Sequence, residues 1–277
     1  MMSDSTLRPR SGTSAKALLL TILGEFVLPR NGAVWTSTLI DGLDHLGVNE
    51  RNARQAVARL SDQKLIRAYR VGRRTRWHLT AQGRRLLQDG AARIYEFGGS
   101  GTNWNSRWLV VLASVPEEQR YKRHQLRNQL GFAGFGFIGP AVAVSPHVNR
   151  ETIANSVLHG LELDDSAIVL IAETGSFGPD SEIIRRAWNL ADLSQRYADF
   201  LHDFEGRRPR GDAEHFVGLI ELVHAWRRFP FLDPEIPTAL LPAAWPGVRA
   251  RKLFDGRHAS WSLSANEWFE EAEAAAE

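Results

Sequence analysis

The chain has 277 residues, 43% of them hydrophobic and 24% charged, the make-up of a folded protein with room for two or three domains. The absence of cysteine excludes a disulfide framework, thiolate catalysis, iron–sulfur ligation and cysteine-based zinc fingers, and no apolar run approaches the ~18–20 residues that span a bilayer. The net charge of +2 conceals an asymmetry: residues 1–100 carry 16 Lys and Arg against 8 Asp and Glu, residues 101–277 carry 18 against 24, and 51–85 hold 11 basic residues with Asp62 as the single acid. A basic end joined to a mildly acidic remainder directs one segment at an anionic polymer, unless that face is merely solvated.

The first residues, MMSDSTLRPRSGTSAK, are polar and lack the apolar stretch of a signal peptide, so a cytoplasmic protein is expected. From Ser14 to Leu28, Leu18, Leu19, Ile22, Phe26 and Val27 recur at helical spacing, and Pro29, Asn31 and Gly32 end the segment. Thr36–Leu46 reads as a second short helix with Thr36 as N-cap. Asn49 caps a third over 50–63, which turns Ala53, Val57 and Leu60 to one side and Arg51, Asn52, Arg54, Gln55 and Arg59 to the other. Arg, Asn and Gln near a helix N-terminus are the residue types that pair bidentately with purine edges in a major groove. Leu65–Val71 and Thr75–Leu79 then form a hairpin with a basic tip, where Arg73, Arg74 and Arg76 are placed to meet phosphate or the minor groove. Thr80 caps a further helix. The pattern is that of a winged helix-turn-helix over 1–97, with double-stranded DNA as its partner.

Gly98–Asn103 has the composition of a linker. Beyond it, strand 108–115, a helix carrying Leu126 and Leu130, paired strands in 131–145, helix 149–161 and strand 167–172 follow the β-α-β-β-α-β order of a ferredoxin-like sandwich over 104–178. Within it, Gly134, Gly136 and Gly139 match GxGxxG. A strand-like AVAV follows instead of a helix, so twisted-hairpin glycines are expected in place of a dinucleotide site. Residues 180–277 read as mainly helical: one long helix over 182–204, a second over 216–228, a proline-rich wrap with five of the twelve prolines, and an acidic end, NEWFEEAEAAAE, as a helix or frayed tail. His224, Arg227 and Arg228 lie at i, i+3 and i+4. They form either an anionic-ligand site or a core histidine with two arginines paired to acids such as Asp233 or Glu235. No GxSxG elbow, P-loop or HExxH occurs, and the nine histidines lack ligand spacing, so neither an enzyme nor a metal or cofactor is expected.

The blocks VNERNARQAVARLSDQKLI, RTRWHLTAQG, WNSRWLVVLASVPEEQR, LRNQLGFAGFGFIGPAVAVSPH and LVHAWRRFPFLDPEIPTALLPAAWPG, spread over residues 14–253, resemble the phenylacetate-catabolon repressor (PaaX-like) family of bacterial transcription regulators. The resemblance implies an α+β chain: a winged helix, a central Cas2-like ferredoxin fold and a helical C-terminal domain. It also implies a dimeric repressor of aromatic-acid degradation genes whose effector is phenylacetyl-coenzyme A or another acyl thioester. Cas2-type nucleases carry an aspartate at the end of their first strand. Here that strand ends Leu112-Ala113-Ser114-Val115, which weighs against the rival reading of a nucleic-acid-processing enzyme. A second rival is an architectural DNA binder with no effector.

Overall fold

The computed structural model describes residues 14–30, 32–98, 104–176 and 178–277. The polar N-terminal stretch and all of the linker but Gly98 lie outside them. The chain divides into two compact units. One comprises the residues up to Phe97 with Phe200–Arg228 and Ala250–Glu277; the other comprises Gly98–Asp199 with Phe229–Arg249.

The first unit begins with α1 (Ala15–Ile22), continued by a π-helical turn over Leu23–Val27. It goes on through β1 (Ala33–Trp35), α2 (Thr36–His45), α3 (Glu50–Asp62), β2 (Ile66–Val71), β3 (Arg74–Leu79) and α4 (Ala81–Glu96). The cap expected at Asn49 is present: its Oδ1 accepts from Asn52 N at 3.0 Å, while Ala53, Ala56, Val57 and Leu60 bury the inner face of α3. Thr80 caps α4 through Gly83 N, also at 3.0 Å. A Cβ at Gly83 would stand 2.0 Å from Leu65 O, so glycine lets α4 seat directly on the root of β2. The three strands form an antiparallel sheet in the order β1-β3-β2. Strand β1 is an addition to the sequence reading. Thr36, expected as the α2 cap, is instead its first helical residue. Its hydroxyl is 3.1 Å from Thr75 O and accepts from Trp77 Nε1, tying α2 to the hairpin.

The second unit carries β4 (Trp108–Ala113), α5 (Arg120–Phe132), β5 (Gly136–Gly139), β6 (Val142–Ser145), α6 (Glu151–Gly160) and β7 (Ala167–Ala172). Their antiparallel sheet runs β5-β6-β4-β7, the strand order of the ferredoxin-like fold. Leu109, Val111 and Ala143 pack on one face with Leu126 and Leu130 of α5 and Ala154 and Leu158 of α6. Gly136 belongs to this hairpin. A Cβ there would stand 2.6 Å from Ala187 Cβ and Trp188, which explains the glycine without any dinucleotide.

The remaining helices are α7 (Asp180–Ala187), α8 (Leu190–Glu205), α9 (Gly211–Trp226), the short α10 (Phe229–Leu232) and α11 (Pro246–Ala275). The single helix expected over 182–204 is broken. Trp188 is extended (φ −133°, ψ 146°) and packs with Trp108 on the second face of the sheet, and Asn189 Oδ1 restarts the chain by accepting from Asp192 N. The segment 180–277, expected as a third domain, contributes to both compact units. Within the first unit, Phe26 stacks on Phe269 (4.8 Å) and meets Phe216 (5.3 Å), while Trp226 stacks on Phe254 (4.8 Å), so α9 and α11 complete the winged-helix core. Each such aromatic contributes about 1.5–3 kcal/mol of burial.

Candidate nucleic-acid interface

Helix α3 turns Arg51, Asn52, Arg54, Gln55 and Arg59 to solvent, all exposed and opposite the buried Ala53, Ala56, Val57 and Leu60. Arg54 has an exposed partner on its own helix, Glu50 at 2.7 Å. A pair of that kind is worth only about 0.3–0.5 kcal/mol, so it holds Arg54 weakly. The helix N-terminus adds its positive dipole end to the arginines around it, which favours a polyanion at this end.

The hairpin of β2 and β3 turns at Gly72 (φ +61°) and carries Arg73 at its tip, exposed and without an ion-pair partner among the described residues. The other two arginines expected at the wing are occupied. Arg74 donates from Nη1 to Ala276 O at 2.8 Å. Arg76 is two-thirds buried, lies over the Trp35 ring at 4.7 Å, and faces Glu273 and Glu277 at 3.6 and 3.9 Å. The acidic end of α11 therefore covers the β1 side of the wing. The sequence predicts that end as a helix or tail and assigns it no partner. The spacing of Phe254, Trp261, Ala265 and Phe269 marks the buried stripe that docks it. The sequence reading also passed over Arg67 and Tyr69 on β2, whose guanidinium and ring stack at 4.6 Å on the exposed sheet face.

A second cluster closes α9. His224 Nδ1 is buried with no hydrogen-bond partner, and burial, followed by Arg227 and Arg228, pushes this histidine down to about 4. Burial also lowers the Arg227 guanidinium, with Arg228 adding repulsion. The acids expected to pair with these arginines have other partners. Asp233 accepts from Tyr197 Oη at 2.6 Å, and Glu235 pairs with Arg150 at 3.3 Å. Neither Arg227 nor Arg228 forms an ion pair among the described residues. Three basic groups without an acid have the composition that a polyanionic ligand needs.

Among the described residues, no three His, Asp or Glu side chains gather to hold a metal ion, and no helix is long and apolar enough to cross a membrane.

Three family models match the chain in succession: the PaaX-like protein over 14–83, the PaaX protein central Cas2-like domain over 101–184, and the PaaX-like protein C-terminal domain over 188–271. The transcriptional repressor PaaX of Escherichia coli K12 is 27% identical over 257 residues, an alignment that covers 88% of this chain and 78% of that protein. Among solved structures, the uncharacterized protein Rv0674 from Mycobacterium tuberculosis superposes with a TM-score of 0.64 at 17% identity, over 93% of this chain and 99% of that one, a likeness of fold.

Proposed function

The chain belongs to the PaaX-like family, and on that premise we propose that it is a DNA-binding transcriptional repressor of an aromatic-acid catabolic operon, of the phenylacetate type, released by an acyl-coenzyme A. The observation that carries this reading is the α3 face, where five exposed side chains able to pair with base edges stand opposite a buried apolar face, beside a basic wing tip. The repressor function of the E. coli relative supports the direction of regulation.

In this reading two copies pair about a two-fold axis and set their α3 helices in successive major grooves of a palindromic operator. The exposed Ile168, Leu170 and Ile171 on the edge strand β7 support self-association. His224, Arg227 and Arg228 support a seat for the phosphates of phenylacetyl-coenzyme A or a related thioester. A tenfold release requires only ~1.4 kcal/mol of coupling between the effector and DNA sites.

The test is fluorescence anisotropy on DNA from upstream of the protein's own gene, at fixed salt, with and without phenylacetyl-coenzyme A. Tight binding that the thioester releases is the expected result. Binding that the thioester leaves untouched removes this effector and leaves an architectural or differently regulated binder. Magnesium-dependent cleavage of the duplex would replace the reading with that of a nuclease.

A further inference from the structure

The structure holds two of the three predicted wing arginines against the last turns of α11, and the quality of that contact differs along the helix. Upstream the docking is complete: Arg30 donates to Phe26 O (2.7 Å), Asn266 Oδ1 (2.8 Å) and Glu270 Oε1 (3.0 Å), beside the Phe26–Phe269 stack. At the wing it is not. Both carboxylates facing Arg76 stand beyond hydrogen-bond distance, at 3.6 and 3.9 Å. Arg76 Nε and Trp35 Nε1 are buried there without any acceptor. Among the described residues, the well-formed bonds of this end are Trp35 N to Glu273 Oε1 at 2.9 Å and Arg74 Nη1 to Ala276 O at 2.8 Å, and a cavity of about 380 Å³ lined by Arg30, Gly32, Arg76, Glu270, Glu273 and Glu277 leaves the helix end room to shift.

We infer that the acidic end of α11 is a latch that competes with DNA phosphates for Arg74 and Arg76, so that the closed chain meets DNA with the wing partly neutralised. The chemistry favours exchange. A phosphate oxygen can reach Arg76 at hydrogen-bond distance and supply the acceptor that Nε lacks, which the carboxylates do not. Phosphates brought to the basic wing also repel the Glu273 and Glu277 carboxylates that face Arg76, a repulsion that salt screens over a Debye length of ~8 Å. The anchor at Arg30 and Phe269 keeps the body of α11 in place when its last turns let go. This inference deepens the DNA-binding reading and rests on it.

The test compares the full chain with its Glu273→Gln/Glu277→Gln variant on a duplex of random sequence, by anisotropy over a salt titration. Glutamine keeps an oxygen for Trp35 N, and a thermal melt establishes that the variant is folded. Each arginine that newly neutralises a phosphate steepens the dependence of log K on log salt by about 0.9, so the variant, whose lost carboxylates face Arg76, should bind several-fold tighter at low salt with a slope steeper by about 0.9. The gain should vanish when Arg74→Gln/Arg76→Gln is added, an outcome that a general change of net charge would not give. If the wild-type chain binds the duplex and the variant has the same affinity and slope, or binds more weakly, the latch is overturned and the DNA-binding reading stands. If neither binds any duplex, the DNA-binding reading fails and the latch with it.

Discussion

Helix α3 and the wing carry the same residue type in one basic stretch of chain, yet the structure treats their arginines differently. On α3 the arginines stand exposed, and the one ion-pair partner among the described residues, Glu50 on Arg54, is a solvent-exposed neighbour one turn away. Of the three arginines at the turn and on β3, Arg73 has no ion pair among the described residues, whereas Arg74 and Arg76 meet a helix end some 200 residues downstream. A run of basic residues is thus not a uniform surface. Its α3 part stands open to solvent, and its wing part is engaged in part by the chain itself.

The largest effect expected on this contrast comes from removing the anchor of α11. Phe269→Ala should cost about 3–5 kcal/mol of stability in urea unfolding. Its DNA-binding slope against salt should move towards that of the Glu273→Gln/Glu277→Gln variant; an unchanged slope would mean that the wing contact does not depend on the docked helix. Next in size, Arg54→Ala should weaken binding to the specific operator by about 1–3 kcal/mol while leaving random duplex almost untouched. An equal loss on both would make Arg54 a phosphate contact. Arg73→Ala should weaken all duplexes alike and flatten the salt slope by about 0.9, whereas Arg76→Gln in the closed chain should change it far less. Equal effects of the two would erase the distinction between tip and base.

The smallest effect concerns His224. Its pKa in the folded chain lies below its unfolded value, at about 4 against 6.5, so its contribution to stability is full above pH ~6.5 and is lost as pH falls towards 4. His224→Gln should therefore flatten the acid limb of a melting-temperature profile. Since a polyanion on this cluster favours the protonated ring, coenzyme A should bind the wild-type chain more tightly as pH drops through the same window. A binding profile that is flat with pH and identical in the variant would remove His224 from the effector seat.

What the sequence made legible was local. The caps at Asn49 and Thr80, the apolar stripe of α3 and the β-α-β-β-α-β succession of elements in the central unit are read from stretches of a few to a dozen residues, and the structure has each of them. What escaped depended on distance or on a single packed side chain. The three residues of β1 are too few to show alternation. The break at Trp188 exists because the indole is drawn onto Trp108, a demand that helical spacing in 182–204 does not register. The partners of Arg74 and Arg76 lie beyond any local pattern, although Phe254, Trp261 and Phe269 already mark the buried side of the helix that brings them. The same distance effect assigned Asp233 and Glu235 to Arg227 and Arg228, when Tyr197 and Arg150 hold them.

In the proposed function α3 is the element that reads bases, and the most direct measurement is selection from a randomised duplex library by the wild-type chain and by Arg54→Ala/Gln55→Ala, at one salt concentration. The prediction is a two-fold symmetric motif for the wild type, with preference lost at a few adjacent base pairs in each half-site of the variant and its affinity for random duplex retained. The same motif recovered from both proteins would contradict the assignment of α3 as the reading helix.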